Sequence, residues 1–238
     1  MDILKTDRKL AILIDPDKWA SIDQMTELIH ALKQSSADLI LVGGSLMTND
    51  LFDKTIQYLK LNLSIPVIIF PGNGLQISSK ADGILLLSLI SGRNPEFLIG
   101  QHVVAAPRIA RSRIQVLPTG YILVDGGKAT AASYMSGTTP IPHDQVSIAV
   151  CTAMAGEQLG LQAIYLDGGS GANNNISAEM IESVAKNVKI PLIVGGGIRY
   201  ANEVQEKWGA GANVVVIGTA IENNLSLLKD LDRANEEL

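Results

Sequence analysis

The sequence predicts an α/β fold, a single (β/α)8 barrel of parallel strands in which residues 1–238 form one domain. Short runs rich in aliphatic residues alternate with longer segments of helical periodicity, and the runs end at Gly, Asp, Ser or Pro. There are eight such runs, which leaves no room for a second sheet. The predicted strands are residues 10–14, 39–42, 67–70, 83–87, 120–124, 163–166, 192–194 and 214–217.

Segments between the predicted strands have the pattern of amphipathic helices. Residues 21–34 place apolar side chains three and four positions apart, and residues 49–61 repeat that spacing. Ser177, followed by the acidic Glu179, is an N-cap signal for the helix between the sixth and seventh strands. Helices are therefore expected to surround the strands.

The segment after the fifth predicted strand is different. Residues 125–148 show little periodicity and contain two prolines and two threonines within residues 138–142. A connection of this length without regular structure is commonly functional. It favours a mobile or substrate-covering loop.

Charge argues against a nucleic-acid partner. The chain has 24 acidic and 19 basic residues, so its net charge of -5 provides no large positive field. Arg108, Arg111 and Arg113 form the densest basic cluster. We interpret them as the solvated end of a helix and not as a binding patch.

Cysteine content and hydropathy indicate a cytoplasmic protein. Cys151 is the only cysteine and has no partner for an intramolecular disulfide, and the N-terminus does not show the charged-then-apolar pattern of an export leader. The longest strongly apolar stretch, residues 84–90, is far shorter than the roughly 20 residues that a membrane helix requires. It is expected to be a buried strand.

Chemistry in such a barrel is carried by the loops at the carboxyl ends of the strands. Gly196 and Gly218 follow the last two strands and are 218 − 196 = 22 positions apart, which is one βα unit. Their loops are therefore neighbours, and their backbone N–H groups can converge on one anion. The alternative is that these glycines only form tight turns, but two such loops at adjacent strands favour a phosphate site.

Six motifs together resemble the geranylgeranylglyceryl phosphate synthase family. They occur in order over nearly the whole chain: LIDPDK at 13–18, VGGS at 42–45, PGN at 71–73, YLDGGSGA at 165–172, VGGGIR at 194–199 and IGTAIE at 217–222. The resemblance implies an enzyme that joins sn-glycerol 1-phosphate to a polyprenyl diphosphate through an ether bond, with Mg2+ assisting. It also implies lipid biosynthesis, with transient membrane contact for the lipid product. A homo-oligomer is the general default expectation.

The resemblance also assigns roles to particular residues. Asp15 and Ser45 fall where the family binds Mg2+, and a hard cation prefers such oxygen ligands. Asp167 is the expected general base. The residues that fall where the family holds glycerol 1-phosphate are Tyr165, Leu166, Asp167, Gly168, Gly169, Ser170, Gly171, Gly196, Gly197, Gly218 and Thr219.

Two positions distinguish this chain within the resemblance. The family usually has Glu then Ala where this chain has Asp167 and Gly168, and aspartate shortens the reach of the carboxylate by ~1.5 Å. Either the backbone freedom of Gly168 compensates, or activity is reduced or redirected. Leu13 occupies the place of a lysine in the short bacterial relatives, which favours the larger archaeal and bacterial branch.

Two other functions stay open from the sequence. A sugar-phosphate isomerase would use the same final loops without the metal pair, and a non-catalytic barrel would bind glycerol phosphate only.

The remaining conspicuous residues have structural interpretations: His30, His102 and His143 are not spaced as metal ligands. Trp19 is assigned either to a prenyl groove or to the core, and small residues at Ala105, Ala106 and Ala110 could leave room for a prenyl chain.

Overall fold

The structure, a computed structural model, describes residues 8–236, with side chains described from residue 8 to residue 231. Eight parallel strands form a closed barrel in which each strand pairs with the next and the last pairs with the first. The (β/α)8 prediction is confirmed. The strands are β1 (Lys9–Ile14), β2 (Leu39–Val42), β3 (Val67–Ile69), β4 (Gly83–Leu89), β5 (Gln115–Leu123), β6 (Ala163–Asp167), β7 (Leu192–Gly195) and β8 (Val214–Ile217).

Helices surround the barrel, and two short 3-10 turns, Pro16–Lys18 and Ile22–Met25, follow β1. A π turn, Glu96–Gly100, leads into the third helix. The helices are α1 (Thr26–Lys33), α2 (Phe52–Asn62), α3 (Gln101–Ser112), α4 (Ala131–Ser136), α5 (Val146–Gln158), α6 (Ala178–Asn187), α7 (Ala201–Gly209), α8 (Thr219–Asn223) and α9 (Leu227–Glu236). Within the residues that the structure describes, no helix is long and apolar enough to cross a membrane.

Strand β5 is longer than the sequence predicts because a proline and a glycine inside it resemble a turn. It begins at Gln115, five residues before the predicted start. Pro118 pairs with Leu86 of β4, and its carbonyl oxygen accepts a 2.7 Å hydrogen bond from the N–H of Gln162. The pairing on both sides therefore outweighs the local turn signal.

The segment after β5 contains regular structure that its weak periodicity does not predict. Helix α4 lies inside residues 125–148, and Thr130 caps it by accepting a hydrogen bond from the N–H of Ser133 while the Ser133 hydroxyl accepts one from Thr130. The expectation of an irregular loop is wrong here, because a capping box stabilises a helix too short to show a periodic pattern. The predicted Ser177 cap is confirmed: its hydroxyl accepts a hydrogen bond from the N–H of Met180.

One crossover lacks a helix. Residues 70–82 connect β3 to β4 as loop, whereas every other connection between consecutive strands in the described chain carries a helix. The outer face of β4 is therefore left without helical cover on one side. Apolar side chains there border a cavity instead of a packed layer.

Candidate active site at the mouth of the barrel

A polar cavity occupies the carboxyl ends of the strands, where this fold places its chemistry. It measures about 1660 Å3 with its open mouth included. Loops from both halves of the barrel line it, so residues far apart in sequence meet. The predicted site residues that line this cavity are Asp15, Ser45, Tyr165, Asp167, Ser170, Gly171, Gly196, Gly197, Gly218 and Thr219.

Three predicted site residues do not line the cavity. Leu166 points into the layer between strands and helices, as the alternation of a strand requires. Gly168 and Gly169 are buried and donate their N–H groups to the carbonyl oxygen of Gly195 and the carboxylate of Asp167. The hydrogen bonds of the two glycines therefore fix the conformation of the loop after β6 without contributing to the cavity wall.

Asp167 ends β6 as a buried carboxylate. Its Oδ2 accepts a 2.5 Å hydrogen bond from the Tyr121 hydroxyl, and its Oδ1 accepts a 2.7 Å hydrogen bond from the N–H of Gly169. Burial raises the pKa of Asp167, and these two hydrogen bonds partly offset that rise by stabilising the anion. A carboxylate with a raised pKa at the wall of a cavity has the character of a general base.

An aromatic cluster surrounds this carboxylate. The rings of Phe70, Tyr121 and Tyr165 lie with their centroids 5.2 to 6.0 Å apart. Burial first and the charge of Asp167 second raise the pKa of both tyrosine hydroxyls well above the usual value, so both stay protonated. Tyr121 is therefore a permanent donor to Asp167.

Asp15 and Glu222 form a second acidic group across the cavity. The backbone N–H of Asp15 donates a 3.2 Å hydrogen bond to Oε1 of Glu222, and burial raises the pKa of both carboxyls. A Cβ atom built on Gly44 would lie 2.9 Å from Oδ1 of Asp15, so the loop that carries Ser45 passes directly against this carboxylate. The group offers carboxylate and hydroxyl oxygens, the donors that Mg2+ prefers, and the residues fit that ion.

The neighbouring Asp17 has a structural role. Its carboxylate accepts hydrogen bonds from the N–H and hydroxyl of Thr48 and the N–H of Asn49, which ties the loop after β1 to the loop after β2. Among the described residues, no group of three or more His, Cys, Asp or Glu side chains could hold a metal by itself. A cation at Asp15 would therefore depend on water and substrate oxygens to complete its shell.

Sequence reasoning did not single out Glu222 as a site residue. It belongs to the IGTAIE motif, but the motif alone does not show that the short helix α8 directs this carboxylate toward the end of β1. The pairing of β8 with β1 brings the two together. Barrel closure is thus the signal that places Glu222 beside Asp15.

The glycine loops follow β7 and β8, and the second of them adjoins this acidic group because α8, which carries Glu222, begins directly after Gly218. Gly196 and Gly197 have φ angles of +86° and +73°, which L side chains rarely adopt, and a Cβ on Gly196 would lie 2.5 Å from the backbone nitrogen of Gly169. The hydroxyls of Ser170 and Thr219 are 3.0 Å apart and link the loops after β6 and β8. Bare backbone, two hydroxyls and the nearby cation of Arg199 make this side of the cavity suitable for a phosphate group.

A second, apolar cavity adjoins the first. It measures about 860 Å3 with its mouth included and lies between β4 and α3, where the helix after β3 is missing. Ala105 and Ile109 line it from α3, whereas Ala106 and Ala110 are exposed on the far side of that helix. The residues that line both cavities are Gly44, Ser45, Phe70, Tyr121 and Ala132.

The remaining candidates lie outside the polar cavity. Trp19 packs against the core and lines neither cavity, which supports the packing interpretation. His102 lies in the apolar wall with Nε2 2.9 Å from the Leu87 carbonyl oxygen, and His143 lies 3.3 Å from the Asn175 carbonyl oxygen. Both histidines are held by backbone, in agreement with structural roles.

Fold and site together define a (β/α)8-barrel protein with a polar, anion-suited mouth and an adjoining apolar cleft. The profile of the PcrB family matches residues 1–235. The chain belongs to the PcrB family. The resemblance found in its motifs is thereby confirmed.

Relatives of this chain carry a consistent name. It is 50% identical over 224 residues to the geranylgeranylglyceryl phosphate synthase of Spirosoma linguale, with 94% of this chain and 90% of that protein covered. It is 38% identical over 229 residues to the enzyme of that name from Korarchaeum cryptofilum, with 96% and 93% covered.

A solved structure gives the same result for the fold. The crystal structure of (S)-3-O-geranylgeranylglyceryl phosphate synthase from Thermoplasma acidophilum in complex with sn-glycerol-1-phosphate superposes with a TM-score of 0.91 at 28% identity, covering 100% of this chain and 96% of that one. An N-acetylmannosamine-6-phosphate 2-epimerase from Clostridium perfringens, 16% identical with a TM-score of 0.61 and covering 100% and 96%, shares the fold alone.

Proposed function

We propose that this chain forms an ether bond between the C3 hydroxyl of sn-glycerol 1-phosphate and the first carbon of a polyprenyl diphosphate, geranylgeranyl diphosphate being the expected donor. The C–O bond to diphosphate breaks, diphosphate leaves, and the hydroxyl proton is lost. The observation that carries the proposal is the meeting of a polar cavity and an apolar cleft at Tyr121, beside the Asp167 carboxylate. The names of the relatives agree with it.

Glycerol phosphate is proposed to bind at the glycine loops. Backbone N–H groups near Gly197 and Gly218 and the hydroxyl of Thr219 would hold the phosphate, since bare backbone can approach an anion closely. The polar cavity then directs the glycerol toward β6. Its primary hydroxyl would meet the carboxylate of Asp167.

Asp167 is proposed to orient this hydroxyl and take its proton. Burial raises the pKa of Asp167 toward the working pH, which favours proton transfer, and the Tyr121 hydrogen bond fixes the orientation of the carboxylate. Tyr121 also lines the apolar cleft. The acceptor hydroxyl and the allylic carbon of the prenyl group would therefore meet beside Tyr121, and holding two reacting groups in position accelerates their reaction.

Mg2+ is proposed to bind at Asp15 and Ser45, with Glu222 at hand. When bound, the ion would neutralise negative charge on the departing diphosphate. Asp15 and Glu222 are partly buried carboxylates whose pKa values are raised by desolvation. A cation between them and the substrate would stabilise their ionised forms, which burial disfavours. Lys18 lies at the same side of the cavity and adds positive charge for the diphosphate.

Incubation with labelled sn-glycerol 1-phosphate and prenyl diphosphates of several chain lengths tests this function. We expect an extractable labelled lipid, release of diphosphate in equal amount, and loss of both on adding a metal chelator. Turnover of a sugar phosphate that persists with chelator would favour an isomerase. Tight glycerol phosphate binding without diphosphate release would favour a binding protein. The expectations of a cytoplasmic location and a homo-oligomer stay predictions.

A further inference from the structure

Exposed apolar side chains are concentrated around the apolar cleft. Of the eleven large apolar side chains that are exposed in the described residues, six lie on segments that wall this cleft. Scattered single residues would need no explanation, but such clustering marks an interaction surface. The six are Leu75, Ile99, Val103, Val104, Tyr134 and Met135.

The outer surface of α3 is the centre of this cluster. Val103 and Val104 are 66% and 67% exposed, and Ala106, Pro107 and Ala110 continue the apolar surface along the helix. A helix on the surface of a barrel normally presents polar side chains to water. We call the exposed residues 99–111 of this segment the α3 face.

The α3 face is positively charged in an acidic protein. Residues 101–114 contain no Asp or Glu, while Arg108 and Arg111 are exposed on the helix. The whole chain carries a net charge of -5. A local cationic and apolar surface of this kind complements anionic headgroups above acyl chains.

The α3 face is also continuous with the cleft. The opposite side of the same helix, through Ala105 and Ile109, lines the cleft. Arg108 donates to the carbonyl oxygens of Leu75 and Ile77 on the far edge, so its guanidinium lies where the helix meets the loop after β3. An apolar product leaving between these edges would emerge beside Val104 and Arg108.

We propose that the α3 face rests on an anionic bilayer, so that prenyl substrate and lipid product pass between membrane and cleft without crossing water. This proposal rests on the proposed function for the identity of the molecules that move between membrane and cleft. The surface itself is argued from exposure, charge and continuity. It gives Arg108 and Arg111 a binding role where the sequence indicated only a solvated helix end, because the apolar side chains next to them on α3 are exposed and not packed against the barrel.

Vesicle flotation tests the proposal on the full chain. Vesicles of phosphatidylcholine alone are compared with vesicles of phosphatidylcholine and phosphatidylglycerol in equal parts. We expect binding to the mixed vesicles to fall about fivefold for each of Arg108→Gln and Arg111→Gln. Val103→Gln with Val104→Gln should lower it by about tenfold or more, and Leu159→Gln, which changes an equally exposed residue beyond α5, should leave it unchanged.

Activity separates this proposal from the proposed function. In detergent solution the double valine variant should keep wild-type turnover, because neither valine lines a cavity. With substrate supplied in mixed vesicles its turnover should fall with its binding. Equal vesicle binding by the wild type and the double valine variant would overturn the proposal that the α3 face binds the membrane. A smaller oligomer formed by the variant would also overturn it, because it would show that a second copy of the chain covers this face. Absence of turnover by wild type in detergent would instead refute the proposed function.

Discussion

The hydroxyl of Tyr121 lies 2.5 Å from Oδ2 of Asp167 and donates a hydrogen bond to it. Tyr121 is in β5 and Asp167 ends β6, and these strands pair in register so that Tyr121 lies beside Tyr165. The tyrosine ring lines both cavities while its hydroxyl holds the carboxylate. One side chain thus connects the proposed proton acceptor to the space proposed for the prenyl group.

Replacing Asp167 with Asn should lower kcat by about 100-fold to 10000-fold, because the amide cannot accept the hydroxyl proton. The phosphate is proposed to bind mainly at the loops after β7 and β8, so binding of glycerol 1-phosphate should be partly retained and its dissociation constant should change much less than kcat. Single-turnover kinetics and calorimetric binding measure the two effects separately. Near wild-type turnover by Asp167→Asn would eliminate the base assignment.

Replacing Tyr121 with Phe should shift the acid limb of the pH profile upward. The Tyr121 hydrogen bond lowers the pKa of Asp167 because it stabilises the ionised carboxylate, so its removal should raise that pKa further. The base must be ionised, so activity is lost as pH falls through its pKa, and the variant should lose activity at a higher pH than wild type. An unchanged pH profile with a lower kcat would show that Tyr121 acts without affecting Asp167.

The closed barrel was predictable because its signals are local and repeat eight times. Strands β2 and β8 have the predicted bounds, since a buried strand flanked by turn residues is legible in sequence. The missing helix after β3 and the short α4 were not predictable in the same way. A short segment carries too few residues for periodicity to distinguish a capped turn of helix from a loop.

Replacing Gly196 with Ala should disturb the phosphate site. The new Cβ would lie 2.5 Å from the nitrogen of Gly169 and 2.6 Å from Oδ1 of Asp167, at a φ of +86°. We expect a loss of about 1 to 3 kcal/mol in stability and a rise of tenfold or more in KM for glycerol 1-phosphate.

Gly160→Ala is the matched control for this variant. Gly160 has the same φ of +86°, but nothing lies within 4 Å of a Cβ built there. Its substitution should cost stability and leave KM unchanged, as measured by denaturant titration and steady-state kinetics. Equal KM values for the two variants would argue against an anion site at the glycine loops.

Replacing Ala105 with Phe should fill the apolar cleft. Ala105 is buried and lines the cleft, so the larger ring occupies space proposed for the prenyl chain. KM for long prenyl diphosphates should rise by about tenfold, while glycerol phosphate binding stays unchanged. In detergent solution, where the α3 face has no membrane to contact, Ala106→Phe on the exposed side of the same helix should leave this KM unchanged. The same KM in both variants would place the prenyl chain elsewhere.

Replacing Asp15 with Asn should raise the Mg2+ concentration that gives half-maximal activity by tenfold or more, because a neutral amide is a weaker ligand for a hard cation. Glu222→Gln should raise it less, since that carboxylate is proposed only as a neighbour. Calorimetric titration of Mg2+ in the presence of diphosphate provides a readout apart from turnover. An unchanged Mg2+ requirement in Asp15→Asn would remove this residue from the proposed metal site.

Sequence motifs indicated most of the polar site but not how its parts meet. Asp15 and Asp167 both follow strands, so their place at the mouth of the barrel was predictable. The approach of Glu222 to Asp15 depends on barrel closure between β8 and β1, and the contact of Tyr121 with Asp167 depends on strand register. The apolar cleft exists because no helix follows β3, and no sequence motif indicates that this helix is missing.

The decisive experiment is a crystal structure of this chain with sn-glycerol 1-phosphate bound. We expect the phosphate at the backbone N–H groups of Gly197 and Gly218, with the primary hydroxyl within hydrogen-bond reach of Asp167. A phosphate in that place with the hydroxyl directed away from Asp167, or a glycerol phosphate bound outside this cavity, would contradict it.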